Sequence, residues 1–326
     1  NDSHIQGVIF NQMSPMLYPR MKKLLEEELS VKVLGYVPKV EDCVIESRHL
    51  GLVLPEEIPE LKNRLGKLSE ILEKTLDIDG ILKLAGKAPE LSIPEFSDLI
   101  RKDSAFGYRS SEKVRIGVAD DEAFCFFYAD NLSLLEQMGA ELVHFSPIHD
   151  TELPGDLDGL LLCGGYPELN GKALEENQEM CSSIRKAVEG GMPCLAECGG
   201  FMYLHQEMED MEGNFRKVCG VIPGRSFRTP KLTRFGYITL TEKKDSGLGE
   251  IPAHEFHYFD STDCGTDFHA SKPASTRGWD CMHYEGRLMA GFPHLYYYGN
   301  PKVPVHFLKN ALEYKKERRQ KKDAEI

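Results

Sequence analysis

Three places in this 326-residue sequence combine residue types that could do chemistry together: a cysteine in a glycine-rich turn, a second glycine pair, and a histidine near the far end of the chain. Cys198 follows Ala196-Glu197 and precedes Gly199-Gly200, where a strand read over Met192 to Ala196 runs straight into a helix. Small residues let the backbone take the sharp turn of a nucleophile elbow, and the N-terminus of the following helix favours a thiolate. Gly164-Gly165-Tyr166-Pro167-Glu168 directly follows a buried strand read over Leu157 to Leu162, and its glycines allow main-chain N–H groups to face a cleft. In open α/β sheets ligands bind beyond the carboxyl ends of the strands, so both loops belong on one edge, with an oxyanion hole expected from the N–H groups of Gly165 and Gly199. Each loop read alone is also compatible with an ordinary tight turn around a packed small residue.

A thiol nucleophile needs a base, and eleven histidines supply candidates. His294, in Gly291-Phe292-Pro293-His294-Leu295-Tyr296, follows a short strand and precedes a Gly-Asn-Pro turn, a position from which a side chain reaches a neighbouring strand end. His306 falls inside the last helix and reads as a packing or surface residue. His254 and His257 lie three apart in a strand-like run and so point to opposite faces; without H-E-x-x-H spacing they do not read as a zinc pair, and no metal site is expected.

The elements that must position these residues alternate between strand and helix. Ile5 to Asn11, Pro15 to Leu29 and Val31 to Val37 read as strand, helix and strand; Pro55 to Leu76 places Ile58, Leu61, Leu65, Leu68, Ile71 and Leu72 on one helix face, and Asp79 to Ala85 adds a further turn. A linker with Pro89, Pro94 and Gly107 precedes a second α/β series: Val114 to Ala119 (strand), Asn131 to Met138 (helix), Glu141 to Phe145 (strand), Leu157 to Leu162 (strand) and Leu174 to Val188 (helix). Alternating stretches at Phe235 to Thr241, His254 to Phe259 and Trp279 to His283 predict antiparallel additions to the sheet before a C-terminal helix over Val303 to Glu317.

Composition narrows the classes. With 41% hydrophobic and 28% charged residues the chain is globular, and 39 Lys+Arg against 52 Asp+Glu give a formal charge of −13, the wrong sign for a nucleic-acid footprint. The basic run Lys315 to Lys322 reads as the solvated end of the last helix. No apolar run reaches the roughly 18 residues a membrane helix needs, and nine scattered cysteines fit reduced thiols in a cytoplasmic protein. The chain opens on Asn1 within what reads as structured sequence, as a fragment would.

The motifs together resemble the cobyrinic acid a,c-diamide synthase family, whose C-terminal half is a class I glutamine amidotransferase domain. The likeness covers nearly the whole chain through Arg48-His49-Leu50-Gly51-Leu52, Asp121-Glu122-Ala123-Phe124, Gly164-Gly165-Tyr166-Pro167-Glu168-Leu169, Ala196-Glu197-Cys198-Gly199-Gly200 and His254-Glu255-Phe256-His257-Tyr258. Sister cobyric acid synthases carry a Gly-Ser-Lys type sequence where this chain has Gly165-Tyr166-Pro167. The resemblance implies an α/β fold: a flavodoxin-like open sheet with antiparallel additions, preceded by the end of a dethiobiotin-synthetase-like P-loop domain. The implied boundaries are 1–88 for that remnant, 89–112 for a linker, 113–316 for the amidotransferase domain and 317–326 for a basic tail.

By the same resemblance Cys198 attacks the side-chain amide of glutamine and His294 is its base, while Gly164, Gly165, Tyr166 and Gly199 bind glutamine and the oxyanion. Many class I enzymes orient the histidine with a glutamate two residues later; that position is Tyr296 here, which agrees with the resemblance, since the cobyrinic branch lacks that glutamate. Asp120 replaces a family arginine, and no G-x-x-x-x-G-K-[ST] occurs, so ATP and Mg2+ are expected for the full-length enzyme and not for this chain alone. Expected partners are glutamine, a corrin or related tetrapyrrole dicarboxylate, the missing N-terminal P-loop segment and, in a homodimer, a second copy; nucleic acid and membrane are not. Competing readings are a nickel-sirohydrochlorin a,c-diamide synthase, a non-catalytic subunit that keeps the fold, and a γ-glutamyl hydrolase.

Overall fold

A computed structural model describes residues 4–45, 53, 55–92, 112–244 and 246–324. The Arg48 to Leu52 motif and most of the predicted linker lie outside the described residues. The chain divides into two compact units, Asn1–Ile93 and Pro94–Ile326.

In the first unit, β1 (Gly7–Phe10) and β2 (Lys32–Tyr36) pair in parallel, joined by α1 (Tyr18–Glu28). Two helices follow, α2 (Leu61–Thr75) and α3 (Ile78–Ala85). The helix predicted from Pro55 starts only at Leu61, because Glu60 takes a left-handed conformation (φ 53°) that breaks the run. Asp77 caps α3 by accepting a hydrogen bond from the Gly80 N–H at 2.9 Å.

The second unit is built on a six-stranded sheet. Its elements in chain order begin with β3 (Val114–Ala119), α4 (Ala129–Gln137), β4 (Ala140–Phe145), β5 (Gly159–Leu162), α5 (Gly171–Glu176), α6 (Gln178–Glu189), β6 (Cys194–Glu197) and α7 (Gly199–Tyr203). A β-rich stretch follows: β7 (His205–Glu209), β8 (Phe215–Lys217), β9 (Ile222–Arg228), β10 (Arg234–Glu242), β11 (Glu250–His257), β12 (Phe259–Ser261), β13 (Phe268–Ser271) and β14 (Gly278–Cys281). The chain then returns through β15 (His283–Glu285), β16 (Leu288–Gly291) and β17 (His294–Leu295) to α8 (Lys302–Ala324). The main sheet has the order β15-β16-β6-β5-β3-β4, parallel except for β15.

Alternation along the central strands divides the core. Leu161 and Leu195 join Val114, Ile116, Val118, helix α4 and helix α8 on one side, while Leu160, Leu162, Cys194 and Ala196 pack with α6 and α7 on the other. Burial on both faces explains why these strands read as continuous apolar runs.

Three expectations change. The antiparallel strands mostly form two further sheets, β14-β13-β10-β11-β17 and β12-β9-β7-β8, and only β15 is an antiparallel addition to the main one. The helix predicted over Leu174 to Val188 is interrupted at Asn177, whose side chain accepts from the Met180 N–H at 3.3 Å and donates to the Pro147 and Asp150 carbonyls at 2.9 and 2.7 Å. That residue starts a new helix and ties it to the loop after β4. The basic C-terminal run is the end of the last helix, α8 continuing past the expected Glu317 to Ala324, but it is not wholly solvated: Lys315 and Arg318 reach the fully buried Asp158 at 3.2 and 2.9 Å. A carboxylate taken out of water requires such partners.

Candidate active site

The strand order brings the chemistry together. Adjacent parallel strands β16, β6 and β5 end at one edge, with Gly291 registered opposite Glu197 and Leu162 opposite Ala196. The segments that leave these three strand ends are therefore side by side: the His294 segment after β16, Cys198 after β6 and Gly164-Gly165 after β5. The nucleophile candidate stands between the base candidate and the oxyanion loop.

Cys198 is held in a strained elbow, φ 48° and ψ −103°. Its N–H donates to the Gly291 carbonyl at 2.8 Å and its own carbonyl accepts from Met202 N–H at 2.9 Å, so both the neighbouring strand and the helix fix the turn. Gly200 is required by close approach: a Cβ there would sit 2.1 Å from the Leu162 carbonyl oxygen. Among the other buried thiols, burial pushes Cys194 up to about 12 and Cys163 well above the ordinary thiol range, the latter reinforced by the Glu197 charge.

The Gly164-Gly165 loop rests on Asp121. Its Oδ1 accepts from the Ala123 and Phe124 N–H groups at 2.9 and 3.1 Å, and its Oδ2 from the Ser146 hydroxyl and Ile148 N–H at 2.7 and 2.9 Å. The Ala123 carbonyl so fixed accepts from the Tyr166 N–H at 2.8 Å and lies where a Cβ on Gly165 (φ +154°) would come within 2.2 Å of it. Tyr166 is buried, and its amide is used inside the fold, so of the predicted set it is Gly165 and Gly199 whose main chains meet: a Cβ on Gly199 would lie 3.1 Å from Gly165 N. Asp120, where a family arginine was expected, pairs with His144 at 2.8 Å.

His294 is buried and opens the two-residue strand β17, opposite His254 of β11, instead of lying in a free loop. Phe126 stands edge-on to its ring at 4.8 Å, and Gly164 leaves room for that ring, since a Cβ there would meet His294 Cε1 at 2.6 Å. Burial alone would lower its pKa, but its interactions with Cys198 and with the Glu197 carboxylate outweigh this and hold it up to about 10. The rival histidines are elsewhere: His306 on α8 shares a hydrogen bond with the Tyr284 hydroxyl at 2.8 Å, and His257 stacks on Phe292 at 4.1 Å.

Sequence reasoning assigned no role to Glu197. Its Oε2 lies 3.5 Å from His294 Nδ1 and its Oε1 accepts from the Leu295 N–H at 3.3 Å. Tyr296, by contrast, donates its hydroxyl to Asp130 at 3.1 Å and is exposed. Nδ1 has Glu197 at ion-pair distance, without a partner at full hydrogen-bond geometry. The signal carried by the sequence was Glu197 in the strand adjoining the nucleophile; the pairing of β6 with β16 was not legible.

Among the described residues no group of three or more His, Cys, Asp or Glu is placed to hold a metal ion, and no helix is long and apolar enough to cross a membrane.

Comparison with known proteins places the second unit's sequence in a known family. Residues 115–301 match the CobB/CobQ-like glutamine amidotransferase domain. The cobyrinate a,c-diamide synthase of Caldanaerobacter subterraneus subsp. tengcongensis is 37% identical over 304 residues, 91% of this chain and 65% of that protein. The enzyme of the same name from Clostridium tetani is 37% identical over 321 residues, covering 95% and 68%, and that from Clostridium acetobutylicum 36% over 322 residues, covering 96% and 69%. The chain spans about two thirds of the length of these relatives. That similarity places the chain in the CobB/CobQ-like glutamine amidotransferase family.

Proposed function

We propose that this chain carries the glutamine-hydrolysing part of a cobyrinate a,c-diamide synthase, releasing ammonia for amidation of the a and c carboxylates of a corrin in cobalamin biosynthesis. The observation that carries the reading is the placement of Cys198 between the Gly164-Gly165 loop and His294 at the ends of β5, β6 and β16. Cys198 Sγ, as thiolate, adds to the side-chain carbonyl carbon of glutamine. The oxyanion that forms is met by the amides of Gly165 and Gly199, each such donor contributing on the order of 3 kcal/mol to the barrier reduction. His294, held protonated by its surroundings, gives its proton to the departing nitrogen, and ammonia leaves behind a γ-glutamyl thioester. The neutral imidazole then takes a proton from water, which attacks the thioester and releases glutamate.

Amidating a carboxylate also requires activating it, the chemistry that ATP with Mg2+ supplies in such synthases. The residues of this chain do not fit that role, since the sequence has no P-loop and no acidic cluster for a metal occurs among the described residues. In this reading the corrin is the acceptor of the ammonia released. Glutamate release from glutamine by the purified chain, measured with and without cobyrinate, tests the proposal; absence of glutaminase under both conditions, in a folded chain, would remove it.

A further inference from the structure

We infer that Glu197, the residue immediately before the nucleophile, is the positioning residue that orients His294, replacing a carboxylate two residues after the histidine; this rests on the functions proposed above for Cys198 and His294.

The geometry is local and specific. Glu197 is the last residue of β6, and alternation puts its side chain on the same sheet face as Leu195, the face that packs with Leu295 of β17. One carboxylate oxygen accepts from the main-chain N–H of Leu295, the residue next to His294, while the other lies 3.5 Å from His294 Nδ1. The carboxylate is thus anchored to the strand that carries the imidazole, and both side chains are nearly inaccessible, 10% and 6% exposed. An acceptor on Nδ1 leaves Nε2 as the atom that exchanges a proton with the reacting groups, which is how a second group sets a histidine's tautomer. At 3.5 Å the contact is longer than a formed hydrogen bond; catalytic hydrogen bonds commonly tighten only when substrate is bound.

Other nearby groups do not fill this role. Asp130 is engaged by the Tyr296 hydroxyl. Glu255 and His257, one and three residues beyond His254 on β11, act on His294 electrostatically together with His254, and Cys198 faces it from the turn after β6. Among the described residues the ion pair that His294 makes is with Glu197. The Glu197 charge is also felt by its other neighbours: burial first, and then this charge, raise the Tyr128 and Tyr297 hydroxyls.

The test uses Glu197→Gln, Glu197→Asp and Glu197→Ala in the same chain. Isotope-edited NMR of the histidine rings, with His294→Ala for assignment, follows the titration of His294, and glutamate release is measured across pH. Glu197→Gln keeps the shape and the Leu295 contact but removes the charge, so His294 should titrate at lower pH by about one unit or more. The kcat for glutamine hydrolysis should fall about tenfold or more with KM nearly unchanged, and the alkaline limb of the pH profile should move to lower pH with the imidazole. Glu197→Asp should retain most of the titration behaviour and more activity than Gln, and Ala should be worst. If Glu197→Gln fails to fold, the comparison passes to Asp, whose His294 must still titrate above its value in Ala. An unchanged His294 titration or an unchanged pH profile overturns the inference. A wild-type chain with no glutaminase would instead contradict the functional reading, and the NMR titration would still decide what Glu197 does to His294.

Discussion

The His294 ring occupies the space that a side chain on Gly164 would need: a Cβ at Gly164 would lie 2.6 Å from His294 Cε1. Gly164 and His294 therefore exclude anything larger at either position. Gly164→Ala should displace the imidazole and lower glutamine hydrolysis by about tenfold or more, since misplacement of a catalytic group by a fraction of an ångström to an ångström is enough. Steady-state kinetics with glutamine, beside a thermal melt, checks this; full activity at an unchanged melting temperature would show that the ring has another place to go.

His294 and His306 should separate cleanly. His294→Ala should slow formation of the γ-glutamyl thioester by a factor on the order of 10² or more, whereas His306→Ala, which loses contacts with Tyr284 and Asn310 on α8, should leave it within about threefold. Burst kinetics with a chromogenic γ-glutamyl substrate measures the step. His257 is not a neutral control, because its ring stacks on Phe292 two residues before the base.

Asp121 joins the loop after β3 to the loop after β4 through four accepted hydrogen bonds, and through Ala123 it supports Gly165. Asp121→Ala should destabilise the second unit by about 2–4 kcal/mol, the range for stranding several buried donors, and should reduce kcat more than it changes KM. Urea denaturation with parallel kinetics tests it; a change within about 0.5 kcal/mol would mean that the loop holds itself.

The places of the site candidates at neighbouring strand ends were legible because each motif carries its own physics: a cysteine between small residues at a strand-to-helix junction, glycines after a buried strand, a histidine after another. The α/β alternation of the second unit was legible for the same reason, since parallel strands buried on both faces are unbroken apolar runs. Glu197 was not, because its function depends on β6 lying beside β16 and thereby on a contact with Leu295, 98 residues away. Nor was the separation of the antiparallel strands into their own sheets, since alternation says that a strand has two faces and not which sheet it joins. Asn177 reads as one more polar residue in a helical pattern; only its bonds to Pro147 and Asp150 make it a break.

Glu255 supplies a prediction about pH. It is completely buried, and desolvation, only partly offset by Arg234, raises its carboxyl from the ordinary 4.5 to about 7. A raised folded-state pKa adds relative stability below the unfolded value that is lost as pH rises through the folded one, so wild type should lose ground to Glu255→Gln between pH 4.5 and 7, by on the order of 2–3 kcal/mol. His257, pushed down to about 4 by burial and 4.0 Å from the Glu255 carboxylate, works in the opposite sense as pH falls from 6.5. Chemical denaturation at several pH values gives the difference directly, and parallel stability curves would contradict it.

The central claim is that Cys198 becomes acylated by glutamine. Intact-protein mass spectrometry of the chain, quenched in acid during turnover with glutamine, tests this most directly. The account predicts a fraction of the chain carrying one γ-glutamyl group, mapped by peptide analysis to Cys198, absent in Cys198→Ser and labile to hydroxylamine. Glutamate release without any adduct on Cys198, or with wild-type rates in Cys198→Ser, would contradict it.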